Sequence, residues 1–250
     1  HAVQGLGPVM PATMWAELLA LAATVGDERG VTLTDLTIAQ GLPVFSNPTL
    51  VRVKLGGGVG RCYSRPLGDT AAWALNAVAS IGTAVPLNDV PAAGLTPPGL
   101  PGVDPDALYS LFRLKGLQYS GAFRNLTGIT VGDGEAADAT LTDKAVAWAT
   151  IDAGVPYRGG RHAPWVLDAG LQLLIAAARD LGEAMYLPFR LGRVGLHRPM
   201  AGDRPWRARA EVTSRTRHEL VGSVQFFDAD GHLVAELADV ACVRNQSDDM

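Results

Sequence analysis

Pro164-Trp165-Val166-Leu167-Asp168-Ala169-Gly170-Leu171-Gln172-Leu173-Leu174-Ile175-Ala176-Ala177-Ala178-Arg179 is the stretch on which the fold turns. It opens on a proline, which suits a first helical turn, and continues in good helix formers. Apolar residues sit on nearly every side of this helix, so it has to be buried on every side. A second stretch behaves alike: Pro11 stands before Ala12-Thr13-Met14-Trp15-Ala16-Glu17-Leu18-Leu19-Ala20-Leu21-Ala22-Ala23. Around these two helices the chain reads as strands. Residues 32–38 and 49–55 alternate at period two, and 59–64 and 72–80 resemble further strands. Strands are also expected at 125–131, 135–141, 144–151, 185–189, 193–197, 206–213 and 219–227. Asp228-Ala229-Asp230-Gly231 supplies a hairpin turn before a returning strand at 232–244. A short helix is expected over 105–114. A curved antiparallel sheet wrapped around an apolar helix buries all its sides, so the expected class is α+β.

Residues 91–105, PAAGLTPPGLPGVDP, hold five prolines and three glycines and form the best linker in the chain. The expected division is therefore a first unit over 1–90, a linker over 91–105 and a second unit over 106–250. Each unit has one buried helix and several strands. The repeat is lopsided, because three strands precede the second helix and almost nothing precedes the first. The first unit reads as one whose leading strands are missing.

Composition narrows the function. In 250 residues, 48% are hydrophobic and 18% charged, which excludes wholesale disorder. The net charge of −4 argues against a general nucleic-acid binder. No run of about 18 apolar residues is present, so no membrane helix is expected. Cys62 and Cys242 stand far apart in expected strands, as two free thiols in a reducing compartment would. A cytoplasmic location is the expectation, with no metal site.

Among residues that could carry chemistry, His197, His218 and His232 fall at strand ends or hairpins and read as structural. Asp168 differs. It is placed in the first turn of the second apolar helix, where a helix-start role and a functional role are equally open. A carboxyl group in an apolar pocket is costly to ionise, so its pKa rises and it can serve as a general acid near neutrality. Gln172 lies one turn on, on the same face.

Five segments together resemble the dehydratase domains of modular polyketide synthases and of animal-type fatty acid synthases. Residues 1–18, HAVQGLGPVMPATMWAEL, resemble the family's HxxxGxxxxP motif and the helix after it, with His1, Gly5 and Pro11 at the motif positions. Residues 103–126, VDPDALYSLFRLKGLQYSGAFRNL, resemble the stretch that ends in the YGPxF motif, through Tyr119 and Phe123. Residues 164–172, PWVLDAGLQ, resemble the HPALLDAxxQ motif, through Pro164, Asp168 and Gln172. Residues 187–197 and 229–244 resemble the family's last strands. The resemblance spans nearly the whole chain. It implies a double hot-dog: two curved antiparallel sheets, each wrapped around a long buried helix.

The resemblance also implies a reaction. A histidine of the first unit and an aspartate of the second would face each other across a tunnel; here these are His1 and Asp168. The substrate would be a β-hydroxyacyl thioester on the phosphopantetheine of an acyl carrier protein, with no cofactor of the enzyme's own. Neighbouring synthase domains would be partners, and a homodimer is expected because such domains commonly pair. Tyr119 and Gln172 would support the aspartate, with Gly5, Pro11, Gly121 and Pro164 shaping the substrate site.

Three departures stand out. Five residues separate Gly5 from Pro11 where the family has four, so His1 is either the base beside a one-residue insertion or a coincidental leading residue. Ser120-Gly121 replaces the expected glycine and proline. Ala163 stands at the family's histidine position, with His162 displaced by one. These changes leave double-bond isomerisation or pyran-forming ring closure as alternatives within the fold. A degenerate, non-catalytic scaffold is the alternative outside it. A hot-dog thioesterase fits less well, because those come as single units.

Overall fold

The structure, a computed structural model, describes residues 2–4, 7–24, 30–44, 48–84, 100–133, 145–152, 160–178, 185–200, 204–216 and 218–245. His1, Gly5, the strand expected at 135–141 and most of the Pro/Gly stretch lie outside the described residues.

Two short strands, β1 (Ala2–Val3) and β2 (Gly7–Pro8), precede helix α1 (Ala12–Ala23). Strands β3 (Val31–Ile38), β4 (Thr49–Gly56), β5 (Val59–Pro66) and β6 (Ala74–Thr83) follow. Next come β7 (Gly102–Val103), α2 (Pro105–Leu114), β8 (Leu117–Gln118), β9 (Leu126–Asp133) and β10 (Ala145–Ile151). Helix α3 (Pro164–Ala177) is followed by β11 (Met185–Leu196), β12 (Trp206–Arg215), β13 (Glu219–Phe227) and β14 (Leu233–Asn245). No helix among the described residues is long and apolar enough to cross a membrane.

The sheet repeats its own order. Around α1 the strands run β3-β6-β5-β4, and around α3 they run β11-β14-β13-β12. The two rows join where β3 pairs antiparallel with β11, giving one sheet of 11 strands. The second row continues past β12 into β10, β9 and β7, whereas the first row ends at β4 among the described residues. β4 is exposed along nearly its whole length, and Leu50, Val51 and Leu55 face solvent there.

Both helices are buried, as their apolar sequences demand. Trp15 and Leu19 of α1 and Leu167, Leu173 and Leu174 of α3 are fully enclosed. Each such side chain stabilises the fold by about 1.5–3 kcal/mol through lost apolar surface. Pro164 occupies the first turn of α3, where its missing N–H costs no helical hydrogen bond.

The strands expected at 185–189 and 193–197 are one continuous strand, β11, with a register shift between Pro188 and Arg190. Gly192, between the two expected strands, marks close packing. A Cβ on Gly192 would sit 2.6 Å from the Asp239 Cβ of the neighbouring β14.

Gly170 seats α3 on the sheet in the same way. A Cβ there would approach Phe226 Cζ to 2.3 Å and Val224 Cγ1 to 2.8 Å, both on β13. Gly170→Ala is expected to destabilise the fold by about 1–3 kcal/mol through overpacking. Thermal denaturation should show a Tm lower by several degrees, at about 2–4 °C per kcal/mol for a chain of this size.

Candidate active site

Asp168 lies on α3, only 4% exposed. It is the fifth residue of the helix and not part of its first turn, which holds no acidic residue, so the helix-start reading falls. Burial among apolar groups disfavours its charged form and raises its pKa from 3.8 to about 6, with a hydrogen bond from Gln172 opposing the rise. The carboxyl group is therefore an acid tuned close to neutrality.

Gln172 is fully buried one turn on. Its amide nitrogen donates to Asp168 Oδ2 at 2.9 Å and to the Phe123 carbonyl at 3.0 Å. Its carbonyl Oε1 accepts from the Tyr109 hydroxyl at 3.1 Å. The Tyr109 oxygen in turn accepts from the Leu126 N–H at 3.1 Å. Every bond the Gln172 side chain makes here is buried or nearly so, and such bonds are costly to leave unmade.

Tyr119 stands beside this chain. Its ring packs edge-on against Tyr109 and Phe112, with centroids 6.1 and 5.5 Å away. Burial, and then the charge of Asp168, push its hydroxyl well above the usual tyrosine range. Tyr109 and Tyr119 both line a cavity of about 500 Å³, shared with Ala2, Pro8, Arg113 and Arg124. The start of the chain reaches this place because Ala2 of β1 pairs with Gln118 of β8, the residue before Tyr119.

Pro11 and Pro164 are buried at the starts of α1 and α3 and set where those helices begin. Gly121 is exposed with φ of 56°, a left-handed conformation that a proline ring cannot adopt. The loop after Tyr119 thus follows a different backbone course from one carrying proline at that position.

The described histidines make their contacts away from Asp168. His162 is buried, with Nδ1 2.9 Å from Glu17 Oε2 on α1. Glu17 Oε1 also accepts from the Arg161 N–H at 2.7 Å, so this carboxylate ties α1 to the loop that leads into α3. His197 lies 3.7 Å from Glu236, and His232 lies 3.4 Å from Asp228. Among the described residues, Asp228, Asp230 and His232 form one group close enough to hold a metal ion. Asp228 Oδ1 there already accepts the turn N–H groups of Asp230 and His232. Both cysteines are free and buried, which raises each thiol to about 12.

Sequence reasoning missed Tyr109 and Glu17. Glu17 carried the signal that singled out Asp168, a lone carboxyl group in an apolar helix. Tyr109 carried none, because its partners lie 17 and 63 residues away.

A family model described as Polyketide synthase dehydratase N-terminal domain matches residues 88–248. No curated protein sequence matches the chain. Solved structures do match. The CurJ dehydratase, as an inactive histidine-to-phenylalanine mutant in complex with Compound 21, superposes with a TM-score of 0.78. It is 15% identical, over 98% of this chain and 85% of that one. The CurK dehydratase, as an inactive aspartate-to-asparagine mutant, gives 0.77 at 21% identity, over 99% and 88%. The dehydratase domain of PpsC from Mycobacterium tuberculosis, in complex with C12:1-CoA, gives 0.73 at 24% identity, over 97% and 87%. The fold is thus a double hot-dog of the α+β class.

Proposed function

This chain belongs to the polyketide synthase dehydratase family, and from that premise we propose that it eliminates water from a β-hydroxyacyl thioester carried on an acyl carrier protein. The observation that carries the proposal is Asp168: a buried carboxyl group, raised to about 6, with one oxygen held by Gln172. In this reading the His1 imidazole removes the α proton. The electron pair forms the α,β double bond, the β C–O bond breaks, and the Asp168 carboxyl proton goes to the departing oxygen. The products are an enoyl thioester and one water. No metal or cofactor of the protein's own enters these steps.

Three further observations support the reading. The histidine-to-phenylalanine form of the CurJ dehydratase and the aspartate-to-asparagine form of the CurK dehydratase are both inactive. The PpsC domain binds an acyl-CoA, a thioester on the same phosphopantetheine arm that an acyl carrier protein bears. Arg113 and Arg124 line the cavity beside Tyr119, Arg124 already paired with Asp106 at 2.6 Å, so Arg113 is the cation there that would welcome an anionic arm. The expected partners are that carrier protein and the neighbouring synthase domains.

The pH profile tests the acid. Asp168 must carry its proton to donate it, so kcat/KM should fall as the pH rises through and beyond about 6. A kcat/KM that shows no decline at high pH would contradict a protonated Asp168 as the working form.

A further inference from the structure

We propose that Tyr109 is a positioning residue for the elimination: its hydroxyl locks the Gln172 amide in one orientation, which leaves Oδ1 of Asp168 as the oxygen that carries and delivers the acidic proton. The inference rests on the proposed dehydration and adds a residue and a proton position to it.

The Leu126 N–H can only donate, so the Tyr109 oxygen accepts there at 3.1 Å. The hydroxyl proton is then committed to Gln172 Oε1, at 3.1 Å. With Oε1 facing the tyrosine, the amide nitrogen faces the other way. There it meets the Phe123 carbonyl at 3.0 Å and Asp168 Oδ2 at 2.9 Å. A carbonyl can only accept, so the Phe123 contact demands the same orientation. One NH₂ proton goes to each acceptor, and both are spent. Asp168 Oδ2 is thus an acceptor whether the carboxyl group is neutral or ionised, and the acidic proton sits on Oδ1. Tyr109 supplies a side-chain anchor of Gln172 that substitution can remove without touching α3. The titratable groups coupled to Asp168 among the described residues are Tyr119 and Tyr109, with the Arg124 guanidinium 5.1 Å from the Tyr109 ring centroid.

Tyr109→Phe in the full chain removes only the oxygen. With a β-hydroxyacyl pantetheine thioester, kcat should fall about tenfold while KM stays within about twofold, as for loss of one oriented hydrogen bond. The Asp168 carboxyl group, followed by carbon-13 NMR titration without substrate, should titrate at higher pH. The reason is that a loosened Gln172 stabilises the ionised form less. In a Gln172→Ala background, Tyr109→Phe should have no further effect on kcat. An unchanged Asp168 titration, or an undiminished effect of Tyr109→Phe in the Gln172→Ala background, would overturn the proposal. The titration needs no turnover, so failure of the dehydration itself is seen separately as a wild type that releases no water. If the variant does not fold, the wild type still decides. A slowly exchanging Tyr109 hydroxyl proton with a cross-peak to the Gln172 amide is expected, and its absence contradicts the lock.

Discussion

Asp168→Asn is expected to lower kcat for water elimination by about 10³-fold or more, in the range that general acids contribute. Asparagine keeps the shape and can still meet Gln172, but it cannot release a proton to the β-hydroxyl. The same change has a signature in stability, independent of any substrate. The folded carboxyl group titrates near 6 and the unfolded one near 3.8, so the native state binds more protons between those values. Wild-type stability therefore drops as the pH rises through this window, by about 3 kcal/mol for a shift of this size. The asparagine variant escapes that loss. It should melt at a higher temperature than the wild type above pH 6, and the advantage should vanish below the unfolded value. A variant inactive but no more stable at neutral pH would indicate a carboxylate that is not raised.

His1→Phe should be as damaging, again by about 10³-fold or more. The α proton of a thioester is weakly acidic, and its removal needs a base at the site. The described histidines are poor candidates. His162 is bound to Glu17 at 2.9 Å, His197 and His232 sit beside Glu236 and Asp228, and His218 is exposed next to the β12–β13 hairpin. Full activity in His1→Phe, measured as product formed per enzyme under saturating thioester, would make His1 a leading residue and move the base elsewhere. Melting curves should overlay those of the wild type, which separates a lost base from a lost fold.

Much of this was legible in the sequence, for a reason that particular segments illustrate. The α1 and α3 stretches are apolar on all faces, and only a wrapping sheet can bury such helices. Their starts at Ala12 and Pro164 follow from the prolines at 11 and 164. Alternation found β3 and β4 to within one residue at either end. At β11 the sequence reads as two strands where the structure has one, with Pro188 and Gly192 inside it. There the proline falls at a bulge and the glycine makes room for Asp239, and neither is visible without the neighbouring strand. Asp168 could be found because one carboxyl group among leucines and valines has to be explained. Glu17 deserved the same suspicion, but its partner His162 lies 145 residues away. Tyr109 was out of reach, since a tyrosine on an amphipathic helix announces nothing until Gln172 and Leu126 are placed around it.

The most direct measurement is the mass of the product formed from a synthetic β-hydroxyacyl pantetheine thioester. Wild-type chain should yield a product lighter by one water, and Asp168→Asn should return the substrate unchanged. An unchanged mass with wild-type chain, or a loss of water that survives in Asp168→Asn, would contradict the assignment of Asp168 as the acid of a dehydratase.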